Sequence, residues 1–274
     1  MSSDTTDPAD FADFAAARVT LIEACAEMER RLHGLRDSQG QVVDEIHQLR
    51  RLGKRLRGGL AMVGEAKPCL RWLSVIGRML GGSRDATVRA RTWRKLGFEA
   101  PAAGSIEAAI GGLLELEADA ARRCPPQEVV DWSLAALGHV RSRLEARTDA
   151  ETTEAAALGE VVLRRQLRKR LKRALQRVRN EDFHDCRKAA KAWLGGLSLV
   201  AAGREVGGMA EAGQLGDSLG EENDLEVLAA WLAGRGFSTA TAGAAWKVLR
   251  KRQEKIRRRS ISLIRKELLP ALEK

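Results

Sequence analysis

A histidine-led cationic segment occurs twice in this chain, as HQLRRLGKRLR from His47 to Arg57 and as HDCRKAAKAWL from His184 to Leu194. In both copies cations follow the histidine at +3, +4 and +7. At about 3.6 residues per turn, His47, Arg50, Arg51, Lys54, Arg55 and Arg57 fall within roughly 160° of helical arc. Leu49, Leu52, Leu56, Leu60 and Val63 fall opposite. The second copy sorts alike, with His184, Arg187, Lys188 and Lys191 on one face and Cys186, Ala190, Trp193, Leu197 and Val200 on the other. Each segment therefore reads as a helix with an apolar seam and a cationic stripe.

The repeat extends further. Leu80-Gly81-Gly82-Ser83-Arg84-Asp85 and Leu219-Gly220-Glu221-Glu222-Asn223-Asp224 share the pattern L-G-x-x-x-D, and each is followed within eight residues by a tryptophan, Trp93 or Trp231. Asp224 lies 139 residues after Asp85, and His184 lies 137 after His47. Two landmarks keeping nearly one spacing indicate a duplicated chain. Elsewhere apolar residues recur at 3 and 4 spacing and Ala, Leu, Arg, Glu and Lys dominate, which predicts an all-α fold. Breaks are expected near residues 38–40, 64–68, 81–83, 97–104, 125–126, 148–153, 203–208, 220–223 and 234–236, giving roughly ten helices. The expected organisation is an acidic, flexible tail over 1–14, then one domain over 15–274. That domain comprises two repeats, about 15–150 and 155–274. They form two pseudo-twofold-related helical bundles whose histidine helices face one another across a basic central cavity.

Charge narrows the function. Lys and Arg number 47 against 37 Asp and Glu, a formal net charge of +10, so the protein attracts anions. The excess is concentrated. Leu163 to Arg179 holds nine Lys or Arg and no acid, and Lys247 to Arg259 holds eight against Glu254 alone. Candidate anion contacts on the first run are Arg165, Arg168, Lys169, Lys172 and Arg173, and on the second Lys247, Arg250, Lys251, Lys255 and Arg258. The plain alternative for both runs is a solvated basic face. Arg presents a planar fork to phosphate oxygens and Lys a mobile point charge, so mixed rows follow an irregular phosphate chain without strict register.

Bond-making chemistry finds no support. Cys25, Cys69, Cys124 and Cys186 lack CxxC spacing, and neither repeated histidine has a His or Cys partner at helical ligand spacing, so no metal site, cofactor or catalytic residue is assigned. LGGSRD lacks the GK[ST] of a phosphate-binding loop, and Asp85 and Asp224 read as helix caps or arginine anchors. His33 and His139 read as structural. With neither a signal-like N-terminus nor an apolar run of membrane-spanning length, the expected compartment is the cytoplasm, away from membranes.

In this order the HxxRxxxKRxR segment at His47, LGGSRD, LRRQLRKRLKRAL, the second HxxRxxxK at His184, and LGEEND resemble the CHAD family, the conserved histidine α-helical domain. The resemblance implies helical bundles around a basic cavity that binds inorganic polyphosphate, with targeting to polyphosphate granules. Ala192 and Leu194 stand where basic residues are usual, which implies an asymmetric pocket. The expectation is thus a non-catalytic polyphosphate binder. The alternatives are an RNA- or DNA-binding helical protein, disfavoured by the absence of Tyr and an aromatic content of 4%, and a phosphohydrolase, disfavoured by the want of a carboxylate cluster.

Overall fold

Helix boundaries fall where local chemistry places them. In the computed structural model the described residues are 12–35, 42–98, 100–201 and 203–273, with the side chains of 82–84 excepted. They form helices α1 (Ala17–Gly34), α2 (Val42–Met62), α3 (Lys67–Met79), α4 (Gly81–Lys95), α5 (Ile106–Ala120), α6 (Gln127–Glu145), α7 (Asp149–Arg177), α8 (Asn180–Val200), α9 (Met209–Gly234), α10 (Gly243–Leu263) and the short α11 (Leu269–Glu273). A π turn over Ile264–Leu268 joins the last two, and no strand is present among the described residues. Ser105 caps α5 by accepting from the Ala108 N–H. Thr148 and Glu151 form a reciprocal capping box on α7, which satisfies donors that a 29-residue helix would otherwise leave open.

Two expectations need correction. No break occurs at 220–223, because α9 runs unbroken from Met209 to Gly234 with Leu219, Glu222, Leu225 and Leu228 buried along it. The first half does break at the matching place, at Leu80 between α3 and α4. Asp85 and Asp224 therefore lie inside helices and cap neither. The folded unit also takes in Phe14, which the sequence assigns to the tail. Its ring is 1% exposed, and Asp13 pairs with Arg204 at 3.2 Å. The break expected near 38–40 lies outside the described residues.

The apolar seams meet as their spacing requires. Ile46, Leu49, Leu56 and Leu60 of α2 and Cys186, Ala190, Trp193, Leu197 and Val200 of α8 are all buried in one large core with α1, α3, α6 and α7. A smaller core joins Trp93 of α4 and Ile110 and Leu114 of α5 to Leu225, Leu228 and Leu232 of α9 and Leu249 and Ile256 of α10. Each core draws helices from both halves, so the repeats interlock. Trp193 donates its indole N–H to the buried Glu160 of α7 at 3.0 Å, which fixes the inner face of α8. The outer faces of α2 and α8 are left to line the cleft between the two cores.

Candidate polyanion cleft

The cleft encloses about 780 Å³ and is lined by α2, α4, α8, α9 and α10. From α2 it receives His47, Arg51, Lys54 and Arg55; from α4, Arg91 and Lys95; from α8, Arg187 and Lys191; and from α10, Arg252. Asp217, Glu221 and Asp224 of α9 are its acidic lining, and Glu221 is engaged by Arg252 at 2.5 Å. Positive charge dominates, and both halves contribute it.

The stripe predicted on α2 is wider than the cleft and divides along its length. His47, Arg51 and Arg55 face the cleft, while Arg50 and Arg57 at the other edge turn toward α3. Arg50 donates to the Gly77 carbonyl at 2.5 Å and lies 3.9 Å from Asp85, whose expected anchoring role is in place. Arg57 donates to Ser74 Oγ at 2.9 Å, and burial lowers its guanidinium pKa from the usual arginine value. Together with Met28, Leu49, Leu73 and Ile76 they line a smaller cavity of about 190 Å³. Lys54 stands between the two spaces and lines both. Arg55 crosses to the other repeat, donating from Nε to Ser198 Oγ at 2.9 Å and from Nη2 to the Ser198 carbonyl at 3.1 Å.

On α8 the division differs. Arg187 and Lys191 line the cleft, but His184 turns to a separate niche with Glu222, Asn223, Glu226 and Arg257. Burial first, then the charges of Lys188 and Arg187, hold its pKa below the ordinary histidine value. In the niche Arg257 pairs with Glu222 at 2.5 Å and lies 4.0 Å from the centre of the Phe183 ring. Lys188 is exposed and lies 3.8 Å from Asp185. Leu194 lines the cleft with an aliphatic surface, but Arg57, which stands at its place in the first repeat, turns to α3, and Arg55, which stands at the place of Ala192, is the cation that the first repeat alone supplies.

The α7 run does not reach this cleft, and the α10 run reaches it only through Arg252, which was not among the candidates named on that run. Arg165, Arg168, Lys169, Lys172 and Arg173 lie in another groove along α7. Lys247, Arg250, Lys251 and Lys255 lie on the exposed face of α10, where Arg250 stacks over Trp246. Arg258 is exposed beside Glu226 and Glu254. The cleft residues missed from sequence are Arg91, Lys95 and Arg252. Arg91 and Lys95 follow LGGSRD on α4, and that landmark, read only for its aspartate, was the available signal. His33 and His139 are exposed, the latter with its ring edge-on to Trp72 at 4.8 Å. Among the described residues no group of three His, Cys, Asp or Glu could hold a metal ion, and no helix is long and apolar enough to cross a membrane.

Duplicated helices around a basic cleft define the class of this protein, and the comparisons agree. Residues 20–233 match the CHAD domain. The fold resembles the crystal structure of the CHAD domain from the plant Ricinus communis, with a TM-score of 0.51 and 19% identity over 96% of this chain and 90% of that one. It also resembles PptA from Streptomyces chartreusis, with a TM-score of 0.53 and 16% identity over 94% of this chain and 99% of that one. No curated protein matches. The chain belongs to the CHAD domain family, whose members are known in general to bind polyphosphate.

Proposed function

We propose that this protein binds inorganic polyphosphate in the central cleft without cleaving it, and that in the cell it attaches to polyphosphate granules. The observation that carries the reading is the convergence of Arg51, Lys54 and Arg55 from one repeat with Arg187 and Lys191 from the other on a single cleft. Mixed guanidinium and ammonium donors suit a flexible chain of phosphates, each of which offers charge and several acceptors. The lining includes no Phe, Tyr or Trp, the side chains that serve as the main stacking platforms for nucleic-acid bases.

Binding by charge neutralisation releases counterions, so affinity falls steeply with salt. The test is a titration with long-chain polyphosphate across a salt series, with RNA of equal charge as competitor. The same titration is run on an Arg51→Glu/Arg91→Glu variant shown to be folded by circular dichroism. Tight binding that resists RNA and is lost in the variant supports the reading. RNA outcompeting polyphosphate favours a nucleic-acid binder, and phosphate release from polyphosphate by the purified protein would overturn the non-catalytic assignment.

A further inference from the structure

The longest acid-free basic run of the sequence takes no part in the cleft, yet it lines a groove of its own. Between α7 and the end of α11 lies a space of about 1080 Å³ whose charged lining is mainly arginine and lysine, with Glu273 of α11 meeting Arg168 and Lys172 partway along it. α7 packs against α8, α2 and α1 on its inner side, and among the described residues only α11 meets it on the side of the groove. The cations of α7 therefore stand along an open trough.

Two features distinguish this trough from an ordinary solvated face. The first is concavity. The second is incomplete neutralisation. Arg168 and Lys172 share Glu273, and Arg173 meets Asp182 and Asp185. Among the described residues Arg164, Arg165, Lys169 and Arg177 have no carboxylate within ion-pair distance. Arg165, Lys169, Arg173 and Arg177 follow one another at successive helical turns, a row roughly 18 Å long at about 1.5 Å per residue. An extended row of that kind, winding by about 120° around the helix, matches a linear polyanion better than a compact phosphate ester.

The trough and the cleft share no lining residue, and α8 stands between them. Arg187 and Lys191 face the cleft, while Trp193 and Asp182 on the other side of the same helix hold Glu160 and Arg173 of α7. We propose that the α7 trough is a second, independent track for linear polyphosphate, so that one protein holds two stretches of the polymer at once. The choice of polymer rests on the function proposed for the cleft, but the trough stands on its own geometry. Two tracks make binding bivalent. A long chain engaging both gains in effective affinity over a short one by roughly 10² to 10⁴.

The experiment is calorimetry with a linear oligophosphate too short to reach both tracks, on the full chain and two variants, with circular dichroism and thermal melting as fold controls. Arg165→Glu/Lys169→Glu/Arg177→Glu disables the trough, and Arg51→Glu/Arg91→Glu disables the cleft. The unmodified protein is expected to take up two short chains and each variant one, with the extra affinity for long chains lost in both. A glutamine version of the trough variant serves if the glutamate version fails to fold. Uptake of one chain by the unmodified protein, or of two by the folded trough variant, overturns the proposal. If the cleft variant still takes two while the trough variant takes one, the cleft reading fails and the trough stands.

Discussion

Gly58 of α2 and Gly196 of α8 touch backbone to backbone where the two histidine helices cross. A Cβ on Gly58 would lie 2.6 Å from the Gly196 nitrogen and 2.5 Å from the Ala192 carbonyl oxygen, and one on Gly196 would lie 3.1 Å from the Gly58 oxygen. The pair belongs to the duplication, because Gly195-Gly196 follows Gly58-Gly59 by the same 137 residues that separate the histidines. Close crossing at these glycines sets both cationic stripes on one cleft and lets Arg55 reach Ser198 on the opposite helix.

Gly58→Ala is therefore expected to destabilise the protein, because the atoms that a methyl group would meet are backbone and cannot rotate away. Overpacking of this kind costs about 1–3 kcal/mol, a fall in Tm of roughly 2–10 °C for a domain of this size. Gly112→Ala on α5 is the control. Nothing lies within 4 Å of its added methyl, and removing a helical glycine gains about 0.5–1 kcal/mol. Thermal melts that rank Gly58→Ala at or above Gly112→Ala would refute the crossing argument.

How much of this was legible beforehand follows from which interactions are local. The periodicity of α2 and α8 fixes their seams, and each apolar residue named on the α8 seam is buried. Cap and loop residues mark most helix ends. The direction of each cation within a stripe depends on neighbours distant in sequence. Arg50 and Arg57 sit at the same edge of the α2 stripe, and only the arrival of α3, with Gly77 and Ser74, takes them from the cleft. The continuity of α9 through Gly220 was hidden for a like reason, since burial of Leu219 and Leu225 outweighs the weak helix preference of the glycine. Arg252 was passed over because periodicity on α10 favours its exposed face, while the cleft meets a flank.

The division of cations gives a direct test. Arg91→Ala and Lys95→Ala are expected to weaken polyphosphate binding as much as Arg51→Ala, whereas Lys247→Ala and Lys251→Ala leave it within about twofold. For each phosphate that a variant no longer neutralises, the slope of log affinity against log salt should flatten by about 0.7, by analogy with single-stranded nucleic acids. Equal weakening by the α10 substitutions would transfer the site to that face.

His184 should titrate below the ordinary histidine range in the free protein. Burial is the main cause, and Lys188 and Arg187 add repulsion against Asp185, while Glu222, Glu226 and Arg257 face the ring from α9 and α10. A lowered folded-state pKa means that the unfolded chain takes up the proton first. The stability contributed by the neutral ring is thus present above about pH 6.5 and is lost as pH falls below it. Proton NMR of the imidazole should give a midpoint below that of a model peptide, and Lys188→Ala should raise it. A midpoint at or above the peptide value contradicts this placement.

Glu65 governs a different pH range. Burial raises its carboxyl pKa, but the Ala66 N–H, Arg143 at 2.7 Å and Arg147 at 3.7 Å outweigh that effect and hold it below the usual carboxylate value. The sign is opposite to that of a buried histidine. Stability from the ionised carboxylate is fully present above the unfolded pKa, near 4.3, and is lost as pH falls through that value toward the lower folded one. Glu65→Gln should therefore melt below the unmodified protein at pH 7, and the gap should close on acidification below about pH 4. Because Glu65 ties the end of α6 to the turn after α2, the variant should also expose the Val63 carbonyl, which Arg147 engages at 2.8 Å, to faster local opening. Hydrogen exchange confined to that junction, with the α4–α10 core unaffected, is the expected pattern; a gap in Tm that stays constant from pH 7 to pH 3 would show that the carboxylate charge contributes nothing there.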